Sequence, residues 1–312
     1  MSLSVKFLGT SASRPTVERG VSSVAIVREG ETIMIDCGEG TQRQMMKYGV
    51  AFSLGDIFFT HFHTDHFLGV LGLLRTLTLQ AREEPLRISG PRGLLQMLKR
   101  ADGLGVERLT FPLELFEVTP GELIKRKDYG ILPFSVEHRA SLSVGYALVE
   151  DDRRGVFDPD LARALGIPEG PLWGRIHKGE AITLDDGRVI EPSTLVGPTR
   201  SGRRVVVTGD TRPCAATIEA SKGADLLVHE ATFADEEAQR AGETGHSTAR
   251  EAAEVAAAAG ARKLVLTHFS ARYSRDPSEL ETQARERFPA TSCARDGQEI
   301  EVPYATAGSG QS

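Results

Sequence analysis

Ile57-Phe58-Phe59-Thr60-His61-Phe62-His63-Thr64-Asp65-His66 places three histidines and an aspartate within six residues, directly after an apolar run. The run Ile57-Phe58-Phe59 reads as a buried strand, and Leu68 to Leu79 as a helix. The H-x-H-x-D-H array therefore falls on the loop that leaves the strand and opens the helix. Adjacent residues on a regular helix or strand cannot all reach one point. From a tight loop they can, and two metal ions can share them. Imidazole together with carboxylate suits zinc or another borderline divalent ion. A solvated polar loop is the bland alternative. Four ligand-type residues bracketed by apolar elements argue against it.

The wider composition sets bounds. The chain has 312 residues, 40% hydrophobic and 26% charged, which are ordinary globular values. No apolar run approaches the roughly 20 residues of a membrane helix. Met1-Ser2-Leu3-Ser4-Val5-Lys6-Phe7 lacks the charged start and long apolar stretch of a signal peptide, so cytoplasmic residence is the expectation. Cys37, Cys214 and Cys293 are too few and too scattered for a disulfide framework and are expected as reduced thiols. The net charge of −6 argues against a broad nucleic-acid-coating surface but leaves room for a local basic site. Bound zinc ions would themselves supply positive charge where a phosphate would sit.

Outward from the opening stretch, strands are expected at Val5–Leu8, Ser22–Val27 and Thr32–Ile35, the last two as a hairpin around Glu29-Gly30. Asp36 at the hairpin's exit is either a partner for a ligand histidine or a turn residue. Further strands are expected at Leu86–Ser89, Phe111–Val118, Gly130–Glu137 and Val144–Val149, with a helix begun by Pro91. From Glu150 to Pro198 the hydrophobic periodicity fails, interrupted by five prolines and seven glycines. A long irregular stretch inside a domain is usually functional or disordered. It reads as a protruding arm whose tip is basic and aromatic at Trp173, Arg175, His177 and Lys178. Order returns with strands at Arg204–Asp210, Ala224–Glu230, Lys263–His268 and Glu299–Val302. Helices are expected at Ser247–Ala259, capped by Ser247, and at Ser278–Arg287.

Seven candidate ligands share one signature: His61, His63, Asp65, His66, His138, Asp210 and His268 all lie at or just past an expected strand end. Strand ends are where open sheets build their sites. A carboxylate such as Asp210 can bridge two metals, and two metals about 3.5–4 Å apart can clamp the attacking and leaving oxygens of a displacement at phosphorus. Ile57 to Phe62 and Val265 to Phe269 share an apolar strand followed by Thr, His and Phe, as a weak internal duplication would produce.

This array resembles the metallo-β-lactamase superfamily and, within it, the short form of ribonuclease Z (tRNase Z). The resemblance covers nearly the whole chain. It is carried by H-x-H-x-D-H, by Gly209-Asp210-Thr211-Arg212, by His229-Glu230-Ala231-Thr232, by His246-Ser247-Thr248, and by the arm with Gly170-Pro171-Leu172-Trp173-Gly174. It implies an α/β fold, the αββα sandwich of two mixed β-sheets flanked by helices. The nuclease domain would span 1–304, with a flexible tRNA-binding arm inserted at 150–198 and a disordered tail at 305–312. It implies two Zn2+ per subunit, with Mn2+ as another possible ion. One would be held by His61, His63, His138 and Asp210, the other by Asp65, His66, Asp210 and His268. It also implies Asp65 as general base and His246 as the proton donor to the leaving 3′-oxygen, oriented by Glu230. His229 is expected as a structural partner.

The family's reaction is endonucleolytic removal of the 3′ trailer from precursor tRNA, leaving a 3′-hydroxyl. Its members are homodimers in which one subunit's arm, here with Trp173, Arg175 and Lys178, grips tRNA presented to the other subunit's site. Pro15-Thr16-Val17-Glu18-Arg19-Gly20 keeps the Pro and Arg of the family's P-x-K-x-R-N loop but has Val17 and Gly20 for its Lys and Asn. That loop is associated with placing the cut and rejecting mature CCA ends. A small-molecule phosphodiesterase of the same superfamily is the competing expectation, but such enzymes need no arm. A catalytically idle RNA-binding scaffold would have lost ligands, and none is lost.

Overall fold

In the computed structural model, residues 1–102, 108–139 and 142–305 are described. The expected disordered tail falls, but for Ala305, outside them. Strand β1 (Leu3–Gly9) pairs antiparallel with β2 (Ser23–Arg28), and β2 with β3 (Glu31–Ile35). The β2–β3 turn pairs Arg28 with Glu31 and places both Glu29 (φ 49°) and Gly30 (φ 85°) in the left-handed region. Two positive φ values match the right-handed twist of the flanking strands, and glycine meets that demand without strain. Helix α1 (Thr41–Tyr48) leads to β4 (Asp56–Phe58). Helices α2 (Thr64–Phe67) and α3 (Gly69–Leu79) lead to β5 (Leu86–Gly90), and α4 (Leu94–Asp102) precedes β6 (Leu113–Glu117). Strands β3 to β6 run parallel, as crossovers through helices require.

Strands β7 (Ile124–Lys125), β8 (Tyr129–Ser135) and β9 (Val144–Glu150) begin the second sheet. Residues 150–202 then form a separate compact unit. It holds α5 (Pro159–Ala164), α6 (Pro171–His177), β10 (Ile182–Thr183), β11 (Val189–Ile190) and α7 (Pro192–Leu195). The chain returns as β12 (Arg204–Val207), antiparallel to β9, followed by parallel β13 (Leu226–Glu230), β14 (Leu264–Thr267) and β15 (Thr291–Cys293). Helices α8 (Ala215–Ala220), α9 (Ala238–Thr244), α10 (Ala249–Ala259) and α11 (Ser278–Arg285) connect them, and β16 (Glu299–Glu301) closes the first sheet against β1.

The order is β16-β1-β2-β3-β4-β5-β6 in one sheet and β15-β14-β13-β12-β9-β8-β7 in the other. A single apolar cluster joins their inner faces: Phe7, Ile26, Ile33, Ile35 and Phe58 meet Tyr146, Leu148, Val205, Val207, Val228 and Val265. Alternate residues of the same strands point outward. Met34, Ile57 and Ile88 pack on α1, α3 and α4 through Met45, Leu73, Leu77 and Leu94, and Val206, Leu227 and Leu266 pack on the alanine-rich α10. The layers are therefore helix, sheet, sheet, helix, the αββα architecture expected.

Several elements depart from the expectation. Asp65 and His66 sit in the one-turn helix α2, not in a loop. The helix breaks at Leu68 because Gly69 N donates to Cys37 O at 2.9 Å, and a Cβ on Gly69 would fall 1.8 Å from Gly38 O. Pro91 opens a turn rather than α4: Leu94 N donates to Pro91 O, and Gly93 has φ 105°. Thr248, not Ser247, caps α10, in a capping box with Glu251, because the Ser247 hydroxyl is committed to Thr211 O at 2.6 Å.

The unit at 150–202 is not irregular. Each of its three helices begins with a proline, so three of the five prolines that broke the pattern are helix starts. Ala162, Ile167, Ile176, Ile182, Ile190 and Leu195 form its own small core. The elements, two to seven residues long, are too short to show a period.

Phe58 is fully buried, 5.2 Å from the Tyr146 ring across the two sheets, immediately before the histidine loop. Phe58→Ala is expected to cost about 3–5 kcal/mol of unfolding free energy in a denaturant titration. A loss below about 1 kcal/mol would show that the sandwich does not depend on this contact.

Candidate metal centre

The parallel strands deliver their C-terminal ends to one edge. Asp36 follows β3, His61 follows β4, Asp210 follows β12, Glu230 ends β13 and His268 follows β14. Asp210 is buried at the centre of these, and its two oxygens face different partners. Oδ2 lies 3.6 Å from His61 Nε2 and 3.9 Å from His138 Nε2. Oδ1 lies 3.3 Å from both His66 Nε2 and His268 Nε2. His63 Nδ1 completes the first set, 3.0 Å from His61 Nε2 and 3.4 Å from His138 Nε2. Asp65 Oδ2 completes the second, 3.4 Å from His268 Nε2 and 3.6 Å from His66 Nε2. All seven expected residues thus gather at one edge, His61, His63, His138 and Asp210 as one group and Asp65, His66 and His268 as another, with Asp210 Oδ1 facing the two histidines of the second.

These sets fit divalent metal ions. A tetrahedral ion with ligands about 2.0–2.1 Å away spaces neighbouring ligand atoms about 3.3 Å apart. The separations here run from 3.0 to 3.9 Å. Asp210 Oδ1 is buried and makes no hydrogen bond, which is costly for a carboxylate oxygen unless a cation faces it. A third grouping, Asp210, Glu230, His246 and His268, is also close enough to hold an ion. Its donors are already used, however. Glu230 Oε1 accepts from Thr211 N, Oε2 accepts from Thr232 N and Thr232 Oγ1, and His246 Nδ1 faces Oε1 at 2.8 Å.

The ligands are aimed from behind. Asp36 accepts from Thr60 N at 2.7 Å and from Thr60 Oγ1 at 2.8 Å, and meets His66 Nδ1 at 2.7 Å. Thr60 Oγ1 in turn lies 3.0 Å from His61 Nδ1. His138 Nδ1 donates to Gly245 O at 2.8 Å. His268 Nδ1 meets Thr232 Oγ1 at 2.9 Å, and Ser13 N donates to Asp65 Oδ2 at 2.7 Å. In this way the remote nitrogens of His61, His66, His138 and His268 are fixed and their near nitrogens are free to ligate. Sequence reasoning singled out Asp36, but not Thr60 or Thr232 in this role, nor Gly245 O or Ser13 N. The Thr-His pairs at 60–61 and 267–268 were a usable signal for Thr60; the backbone groups leave none. His229 is structural as expected: buried, with Nδ1 donating to Glu230 O.

Electrostatics follow from the packing. Burial and the neighbouring His66 push His61 well below the usual histidine range, and burial with His138 lowers His63. Burial would raise the Asp210 carboxyl, but His268, His66 and His61 outweigh it and hold it well below the ordinary range. Burial likewise opposes ionisation of Asp65, and the His268 hydrogen bond with the His66 and His268 charges outweighs it. Burial also opposes protonation of His246. Glu230, at 2.8 Å, outweighs it, and the imidazole is raised to about 9. His246 is therefore held toward its protonated form with its Nδ1 engaged by Glu230, and it lines an open cleft.

The 150–202 unit carries the other expected site residues. Trp173 packs on Phe157, with ring centroids 5.3 Å apart, and its Nε1 donates to Ile167 O. Arg175 pairs with Glu180 at 2.8 Å, while Lys178 is exposed.

Comparison with known proteins agrees with this geometry. Residues 16–178 match the family model described as metallo-β-lactamase superfamily, and residues 187–269 match the β-lactamase superfamily domain. Fold and site together define a protein of the metallo-β-lactamase superfamily. Ribonuclease Z of Gemmatimonas aurantiaca is 64% identical over 303 residues, covering 97% of this chain and 96% of that protein. Ribonuclease Z of Myxococcus xanthus is 51% identical over 302 residues, covering 96% and 98%. The crystal structure of human tRNase Z, short form, matches with a TM-score of 0.70 at 29% identity, covering 96% of this chain and 99% of that one. The chain belongs to the ribonuclease Z family.

Because Asp36 holds both Thr60 and His66, Asp36→Ala is expected to weaken divalent-metal affinity about 10–100-fold, measured by competition with a chelating dye. Wild-type affinity in a folded variant would remove Asp36 from the centre.

Proposed function

We propose that this protein is a divalent-metal-dependent endoribonuclease that removes the 3′ trailer from precursor tRNA and leaves a 3′-hydroxyl on the tRNA. The carrying observation is the carboxylate of Asp210 between two histidine sets, with the Glu230–His246 dyad beside it. Identity to ribonuclease Z relatives over nearly the full chain supports RNA over a small phosphodiester as substrate. Two zinc ions per subunit are the reading favoured by the donor set, one on His61, His63, His138 and Asp210, the other on Asp65, His66, Asp210 and His268, with manganese as a substitute ion. When bound, such ions supply Lewis-acid charge for the phosphoryl oxygens and acidify the attacking water.

The chain's own residues then divide the proton traffic. Asp65, an ionised carboxylate, takes a proton from the water whose oxygen attacks phosphorus. As the bond from phosphorus to the 3′-oxygen breaks, protonated His246 supplies a proton to that oxygen. The tRNA keeps a 3′-hydroxyl and the trailer a 5′-phosphate. Glu230 holds the imidazole in its charged form and correct orientation. The 150–202 unit is read as the tRNA-gripping arm, with Lys178 and Arg175 as candidate phosphate contacts and Trp173 as a residue packed on Phe157. A homodimer acting in the cytoplasm completes this reading. Among the described residues no helix is long and apolar enough to cross a membrane.

Purified protein is expected to cut a precursor tRNA near the discriminator nucleotide, and a chelator is expected to abolish the cut. An intact precursor in the presence of zinc or manganese would sink the proposal. In the same assay His246→Ala should lower kcat about 10²–10⁴-fold, as loss of a general acid does. Bis-p-nitrophenyl phosphate, whose leaving group needs no proton, should lose far less; equal losses would deny His246 its role as acid.

Replacing 151–201 with a short glycine linker is expected to abolish tRNA cleavage while sparing that small diester. Retained tRNA cleavage would show that the unit is not the arm.

A further inference from the structure

Beside His246 the molecule opens a cleft of about 600 Å3, lined by Ser13, Arg14, Phe233, Arg240, Thr244 and Arg272 among others. It is continuous with the site. Ser13 is the residue whose backbone amide holds Asp65, and Thr232, which also lines the cleft, holds both Glu230 and His268. Any strand joined to a phosphate at the metal centre has to leave through such an opening.

The chemistry of the cleft wall is specific. Three arginines, Arg14, Arg240 and Arg272, line it. One carboxylate answers two of them: Glu237 pairs with Arg272 and lies 3.8 Å from Arg240, while Tyr273 Oη donates to its other oxygen at 3.0 Å. The Glu237 side chain is only 16% exposed, whereas both arginines are 56% exposed, so the carboxylate anchors from beneath and the cations remain presented. The Arg240 guanidinium is further steadied 5.5 Å over the Phe233 ring. Arg14 is exposed, and its guanidinium makes no ion pair or hydrogen bond among the described residues. The wall thus carries an excess of positive charge in an acidic protein. Its aromatic residue, Phe233, is 5% exposed and covered by Arg240, which leaves little face for a base to stack on.

We propose that this cleft is a subsite for the sugar-phosphate backbone next to the scissile bond, held by Arg14, Arg240 and Arg272, with Glu237 as the residue that positions the latter two. The subsite binds phosphates and reads no base. It rests on the RNA-cleaving function proposed above and assigns to that function contacts outside the metal centre and outside the 150–202 unit.

The test is a salt series of kcat/KM for precursor tRNA with wild type, Arg14→Ala, Arg272→Ala, Arg14→Lys and Glu237→Gln. Each alanine variant is expected to raise KM several-fold. Each should also flatten the slope of log kcat/KM against log salt by about 0.7–1, one phosphate contact. Arg14→Lys should restore the slope. Glu237→Gln keeps both cations, so it should raise KM and retain the slope, which a purely structural role would not do. Arg14 contributes no fold contact through its guanidinium, so its variants report on binding rather than folding. Wild-type KM and slope in the alanine variants would overturn the proposal. So would a dependence on the base at the cut of about tenfold or more, the size a bidentate base contact gives. If wild type leaves precursor tRNA intact, the functional reading itself falls; if wild type cuts and the slopes do not move, only the subsite falls.

Discussion

Asp210 lies out of water with its two oxygens turned toward different histidine sets, and the rest of the structure is arranged around that carboxylate. Removing a carboxylate from water costs several kcal/mol unless charge or hydrogen bonds replace the solvent. Here hydrogen bonds do not, since Oδ1 has none. The histidines around it cannot all be protonated together, because burial and mutual repulsion hold His61 and His63 low. Divalent cations would satisfy both demands at once. Bound there, they would meet the carboxylate's charge and accept the lone pairs that crowd His61 Nε2 and His63 Nδ1 to 3.0 Å.

Such an arrangement does not assemble itself locally. It has to be imposed by a rigid frame, and the sandwich core is that frame. Parallel strands β3 and β4 in one sheet and β12, β13 and β14 in the other end at one edge, so residues far apart in the chain meet there. Hydrogen bonds then fix the rings. Asp36 and His268 both adopt left-handed backbone, φ 61° and 59°, an uncommon conformation for non-glycine residues that clusters at functional sites. Both are anchored by several hydrogen bonds, which offset the strain.

The compact unit at 150–202 follows a different logic. Its short elements are defined by prolines at helix starts and by a small apolar core of its own. Trp173, which the sequence left between packing inside the arm and docking RNA, has its indole N–H committed to Ile167 O and its ring against Phe157. Arg163, Arg175 and Arg188 are each tied to local carboxylates. A further group of presented cations lines the cleft beside His246, which no local stretch of sequence announces. Arg14, Arg240 and Arg272 come from three distant segments and share only a place in the fold.

The amino-acid sequence alone marked the imidazole and carboxylate cluster and the strand ends that carry it, and its family resemblance implied the two-sheet architecture. Imidazoles and carboxylates set just past short apolar runs are costly to bury unless a cation meets them, and the seven ligands converge as their residue types imply. Tertiary structure alone decided which oxygen of Asp210 faces which histidines, and which backbone groups aim the rings. It also decided that Asp65 and His66 of the opening stretch ride on a helical turn, because Gly69 must pass against Cys37 and Gly38. Gly245 O and Ser13 N act through the main chain, where every residue type is alike, and so left no trace in the sequence. The same reason hid the capping of α10: Ser247 and Thr248 are both good caps, and only the nearby Thr211 carbonyl takes Ser247 away.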